Sequence, residues 1–436
     1  MRTKKTKGSS DKFSFDRIYG EVLRPFFDKV PDQRAYNSSY ALSDGLKSGF
    51  ALYSLKSPSL LSFQKKTEQE RCNMSNIFDI GSIPSDNGLR KMLDSVSPSL
   101  LRQGFARLFD YTERTGVLKR MQYWRNFLIV SIDGVEHFCS KQVSCPQCLQ
   151  RNHRDGSVSN YHSMLSAAVV SPEHREVFPL DHEPMVRQDG DTKNDCERKA
   201  IHRLLDNLQS VHPHHNFVIT TDALQSCAPV VERFEGQPHL RYVMGVKSKG
   251  NAYLFEQFND LVRQKTAKTI KFKEDGESYL IRYANGLSLN KSHVDVQTNM
   301  IYVEYTNEKG KKTVFSWITN IKVTKGNVKK LMRIGRSRWK IENEVFNTLK
   351  NQGYQFDRNF GHGERLCTVM AYLMMMAFWV DQLQQAGSKV FNQLVKELKT
   401  RVKLWEAVRS VFLLISCDSM LFLHQKIAEL YCVRLI

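Results

Sequence analysis

The sequence predicts an α/β protein: a mixed β-sheet core interrupted by a β-rich insertion and flanked by helical regions at both ends. Three observations carry this reading. The first 125 residues read as helices with short breaks. From Phe127 onward, short apolar runs alternate with segments of helical spacing. Between 250 and 325 that alternation gives way to β-branched and aromatic segments separated by Gly and Asn turns. With 436 residues, of which 41% are apolar and 25% charged, the chain is an ordinary globular protein with a large core. Usual domain sizes divide it into roughly two to four structural units.

In the N-terminal region (1–125), Ser85 or Asp86 is placed to cap a helix carrying Leu89, Met92 and Leu93. Arg90, Lys91, Arg102, Arg107, Lys119 and Arg120 give this region a basic face, which suits either DNA binding or a solvated helical cap. In the next region (126–249), Phe127 to Asp133 is an apolar run ending in an acid and suits a central strand. Asp133-Gly134 reads as a hairpin dipeptide leading to a second strand at Val135 to Cys139. A third strand falls at Met164 to Val170. Residues Cys196 to Leu208 show helical spacing, with Asp195 as the cap. Phe217-Val218-Ile219 is a short buried strand; a helix from Leu224 and a strand at Arg241 to Val246 follow. Three strands, helix, strand, helix, strand is the order a ribonuclease-H-like fold requires. After the insertion (250–325), helical sequence resumes at Asn327 and runs through Lys350, within a segment spanning 326–365. The C-terminal region (366–436) is again helical.

Lys and Arg number 64 against 45 Asp and Glu, a formal charge of +19, which points to a polyanionic partner such as nucleic acid. The opening MRTKKTKGSS is basic but leads into no apolar stretch, so it reads as a phosphate-touching arm rather than a secretory signal. The apolar segment Leu366 to Val380 is short for a membrane span and is read as a buried helix, with no membrane partner expected. Nine scattered cysteines do not form a disulfide framework and favour a reducing, intracellular compartment.

Three acids stand out by position. Asp133 ends the first strand, Asp222 follows the fourth, and Glu342 lies on the helix after the insertion. Singly, Asp133 is explained by a turn and Asp222 by a helix cap. Together, at the carboxyl ends of strands, they invite a hard cation, and magnesium suits carboxylate oxygens. Arg338 is four residues before Glu342 and shares its helical face, with Lys350 eight residues beyond.

The segments Ser131-Ile-Asp-Gly134, Thr221-Asp-Ala-Leu224 and Arg338-Trp-Lys-Ile-Glu342 resemble the catalytic blocks of insertion-sequence DDE transposases. The likeness is to the group with a β-strand insertion and a Y-x2-R-x3-E-x6-K signature, and it spans about Phe127 to Phe378. It implies that Asp133, Asp222 and Glu342 bind Mg2+, with Mn2+ as a substitute, and catalyse strand cleavage and transfer. It also implies that Arg338 and Lys350 contact DNA phosphates and that Trp317 of the insertion stacks on a displaced base, although a tryptophan in such a strand is more often core. Two departures are visible: Gly335 stands at the tyrosine position, and Lys350 comes one residue late. Glu344 is the weaker alternative to Glu342. Double-stranded DNA, a homodimer on paired ends and a cytoplasmic, nucleoid-associated setting follow as implications. The rival readings are a nuclease of the same fold that cuts without joining, and an inactive DNA-binding remnant.

Cys145-Pro-Gln-Cys148 has zinc-knuckle spacing and is followed by His153 and His162, but no second close pair completes four ligands. The pair is therefore read as thiols rather than as a structural Zn2+ site. His362 is read as an exposed turn residue, and Lys193, Asp195 and Glu197 as a capping cluster. Lys247 and Lys249 follow a strand at the expected rim of the site, where they meet phosphate or solvent.

Overall fold

An apolar run that continues straight through an Asp-Gly dipeptide makes the central strand, β1 (Leu128–Ser140). The computed structural model describes residues 11–36, 38–66, 68–186 and 196–435, so the basic arm, Lys193 and Asp195 lie outside the described residues. The expected hairpin at Asp133-Gly134 does not form. The antiparallel ladder runs on through both residues, pairing them with Ser166 and Leu165, and Val135 to Cys139 continues the same strand. Gly134 lacks the positive φ that a two-residue hairpin turn demands. It is glycine for another reason: a Cβ there would meet Glu197 Oε1 at 2.2 Å.

Three further strands complete this side: β2 (Leu149–Asn152), β3 (Val158–Ser171) and β4 (His174–Met185). β3 pairs with β1 along one edge, while β2 and β4 share its other edge. β4 escaped the sequence reading because it contains Pro179 and Pro184, which an outer strand tolerates where its N–H groups face away from the ladder. A helix, Glu197–Val211, then crosses to β5 (Phe217–Thr220), and β6 (Leu240–Gly245) lies beyond it. Both pair in parallel, β5 with β1 and β6 with β5. The order β4-β3-β1-β5-β6, antiparallel then parallel, is ribonuclease-H-like. The helix expected from Leu224 shrinks to a 3₁₀ turn, Ala223–Gln225, and one helical turn, Ala228–Val231.

The segment after β6 is not purely β. It opens with a helix, Ala252–Arg263, that buries Leu254 and Phe258. Strands β7 (Lys268–Glu274), β8 (Glu277–Asn290), β9 (His293–Thr306) and β10 (Lys312–Thr319) follow as an antiparallel meander. β10 returns to pair with β6, Trp317 opposite Gly245, so all ten strands form one sheet.

The helix Val328–Ser337 then leads through Arg338 into a π-helical turn, Ile341–Phe346, and a final α-turn, Asn347–Asn351. At the other end of the molecule, Ser85 Oγ accepts from Gly88 N at 3.1 Å and caps Asp86–Asp94, which buries Leu89, Met92 and Leu93 as expected. That helix and two others, Leu42–Ser54 and Pro98–Arg114, pack with β4 around the apolar helix Leu366–Gly387. Leu366–Gly387 is long and apolar enough to cross a membrane by length and composition, but here it is core, buried almost throughout.

Candidate active site

The parallel ladder between β1 and β5 ends at the pair Ser131–Thr220, and Asp133 and Asp222 each stand two residues beyond it. Side chains repeat every second residue along extended chain, so both acids emerge at one level of the sheet. The helix after the insertion closes over that level. Ser131 Oγ donates to the Arg338 carbonyl at 3.1 Å, fixing helix to strand. One guanidinium nitrogen of Arg338 then donates to Asp133 Oδ2 at 2.9 Å and to Glu342 Oε1 at 2.7 Å. The i, i+4 spacing of Arg338 and Glu342 thus joins two acids from segments 205 and 4 residues away. Glu344 turns toward Arg175 instead, at 3.5 Å.

Charge is concentrated here. Burial pushes the Asp133 carboxyl up to about 7; Arg338 pulls it down, while Glu342 and Asp222 raise it further. Asp222 Oδ1 accepts from Leu224 N at 2.9 Å, so it also caps the 3₁₀ turn. A fourth acid completes the group. Glu197, read from sequence as part of a capping cluster, lies against Gly134, and burial and then Asp222 raise its pKa. Its approach depends on how the Glu197–Val211 helix packs, which no local spacing encodes. Carboxylate oxygens are the ligands a hard cation takes; here Asp133 and Glu342 are joined through Arg338, and Asp222 is near enough to raise both Asp133 and Glu197.

An open cleft beside Asp222 is lined by Lys247, Lys249, Arg338 and Trp339. Trp317 reaches its wall but is only 5% exposed, stacked on Phe315 at 5.7 Å and pressed against Gly335. In this structure the Trp317 ring packs in the core rather than presenting a face to the cleft. The exposed aromatic of the cleft is Trp339, 52% exposed with the Arg338 guanidinium 5.4 Å from its ring centre. The sequence reading passed over it, although an aromatic between Arg338 and Glu342 was the signal. Lys350 stands apart from the acids, ion-paired with Asp357 at 3.1 Å. Of the basic residues considered for DNA binding in the N-terminal region, Arg102 is engaged internally, with Asp181 at 3.1 Å and Glu183 at 2.5 Å.

Compared with known proteins, the chain matches the family model described as Transposase DDE domain over residues 149–380, more than half its length. That match begins beyond Asp133, whose assignment rests on the geometry above. No curated protein matches the chain. Solved structures that resemble it do so weakly, and two serve as examples. One is a piggyBac transposase synaptic complex with hairpin DNA, at 10% identity and TM-score 0.41, covering 97% of this chain and 80% of that one. The other is the NurA nuclease of Sulfolobus solfataricus, at 12% identity and TM-score 0.23, covering 55% and 93%.

Proposed function

The chain belongs to the DDE transposase domain family, and from that premise we propose that it cuts DNA at the ends of a mobile element and joins the freed 3′-hydroxyls to target DNA. The observation that supports this most is the meeting of Asp133, Arg338 and Glu342 at the level of Asp222. Divalent cations, magnesium with manganese as a substitute, would be held by Asp133, Asp222 and Glu342 and would activate a water or hydroxyl and neutralise the leaving oxygen. Arg338 keeps two mutually repelling carboxylates within reach of each other. It is also positioned to turn its guanidinium toward a phosphate once another cation takes its place. Lys247 and Lys249 line the approach to Asp222 and supply positive charge for the DNA backbone, while Trp339 offers a face to an unpaired base. Work as a homodimer on paired ends, in the cytoplasm at the nucleoid, belongs to the same proposal.

The test is magnesium-dependent cleavage and strand transfer on DNA carrying candidate ends. Asp133→Ala, Asp222→Ala and Glu342→Ala are each expected to bind DNA but lose cutting by more than about a hundredfold, whereas Glu344→Ala retains it. Cutting that survives all three changes would mean the active site lies elsewhere. Cutting without joining would reduce the protein to a nuclease.

A further inference from the structure

Away from the carboxylates, four potential ligands converge from three separate segments. Cys145 and Cys148 lie between β1 and β2, His162 lies on β3 opposite Phe138, and His362 lies between the Glu342 helix and the buried helix Leu366–Gly387. Their donor atoms all fall within 4.8 Å of one another. The two sulfurs are 3.6 Å apart, His162 Nε2 is 3.3 Å from Cys145 Sγ and 3.4 Å from Cys148 Sγ, and His362 Nδ1 is 4.0 Å from Cys148 Sγ. We propose that Cys145, Cys148, His162 and His362 bind a structural zinc ion that ties the strand-edge loop to the segment leaving the catalytic helix.

The geometry is that of a shared cation. Zinc bonds of about 2.3 Å to sulfur and about 2.0–2.1 Å to nitrogen, arranged tetrahedrally, set sulfurs about 3.8 Å apart and sulfur–nitrogen pairs about 3.6 Å apart. The separations here lie within a few tenths of an ångström of those edges. Hydrogen bonding serves the same atoms poorly. An imidazole nitrogen carries one proton or one lone pair along one in-plane direction, so His162 Nε2 cannot aim at two sulfurs at once.

The surroundings agree. Cys145 N donates to Cys148 Sγ at 3.3 Å, a contact that supports a thiolate. Cys148 and His162 are buried, and Phe138 covers His362 edge-on at 4.4 Å. The neighbouring thiol of Cys367 donates to the Gly361 carbonyl, and His153 Nε2 pairs with Ser159 Oγ, so each has its own partner. Two sulfurs and two imidazoles form a soft, borderline set suited to zinc rather than magnesium. Four protein ligands leave no open position, which makes the site structural. The sequence reading set zinc aside for want of a second close pair; the fourth ligand, His362, comes from 214 residues beyond Cys148.

The experiment uses the full chain and needs no activity. Protein purified under reducing conditions and dialysed is expected to retain about one zinc per chain by mass spectrometry. Exchange with cobalt should give visible ligand-field bands and a thiolate-to-cobalt charge-transfer band. The double variant Cys145→Ser/Cys148→Ser should lose both metal and bands. Because that variant can misfold, His362→Asn provides the second arm: circular dichroism like wild type, with cobalt affinity weakened at least about tenfold. His153→Asn should bind like wild type. The proposal fails if wild-type protein holds no zinc and gives no thiolate–cobalt band. It also fails if His362→Asn binds cobalt as tightly as wild type, or if mass analysis finds Cys145 and Cys148 joined as a disulfide.

Discussion

Gly335 shows what a single position can demand. A Cβ there would lie 2.5 Å from the Trp317 indole, so helix and strand approach as closely as they do only because no side chain intervenes. Gly335→Ala is expected to destabilise the fold by about 1–3 kcal/mol, read as a lower denaturant midpoint at unchanged slope. Gly134→Ala should behave differently, because the atom it meets is the end of a flexible side chain. Glu197 is expected to swing away with little change in stability, and the magnesium concentration for half-maximal cutting to rise several-fold. An unchanged magnesium requirement would remove Glu197 from the site. The proposed acids Asp133, Asp222 and Glu342 could be singled out because each follows a pattern that sequence displays, a strand end or a helix face. Glu197 and the covering of Trp317 could not, since both arise from packing between distant segments.

Among the elements, the helix carrying Glu342 departs from regular α geometry. A π-turn adds one residue without advancing the helical face, and this one spans Ile341–Phe346. The turn also changes how far round the helix Lys350 lies from Glu342, and in this structure Lys350 pairs with Asp357 at 3.1 Å. Lys350→Ala is expected to weaken DNA binding evenly across sequences and to lower the salt-dependence slope by about one. A sequence-selective loss would instead assign Lys350 to base contact. Sequence reading located this helix and the central strand from their apolar patterns. It misread Asp133-Gly134 as a turn because a dipeptide carries no information about the ladder on either side, and it lost β4 because prolines mask an outer strand.

Across the molecule, the N- and C-terminal helical regions are joined through a buried charge. Lys56 is wholly enclosed, donates to Asp381 Oδ2 at 2.6 Å, and lies 4.0 Å and 4.4 Å from the ring centres of Trp405 and Tyr354. Burial lowers its pKa, against the pull of Asp381. Lys56→Met leaves that carboxylate without its cation and should cost about 3–5 kcal/mol, measured by chemical unfolding. The fold is also expected to weaken in mild acid. Burial holds His182 down to about 3 and His424 down to about 4. Below their ordinary value of 6.5, the unfolded chain takes up protons that the folded one refuses, so stability falls as pH drops from 6.5 toward 4. Asp181, pushed up to about 6 by burial, opposes this in part. His424→Leu should flatten the acid side of the stability profile by up to about one proton, compared by thermal unfolding at pH 7 and pH 5.

The position of the helix Leu366–Gly387 has a consequence for a chain still being made. Asp133, Asp222 and Glu342 all precede it, yet the helices Leu42–Ser54 and Pro98–Arg114 and strand β4 bury much of their packing surface only against it. A ribosome that stalls after residue 365 would release every proposed catalytic acid without the element around which the molecule packs. Such a fragment is expected to be insoluble and inactive in the cleavage assay, because the proposed acids depend on a helix that follows them in the chain.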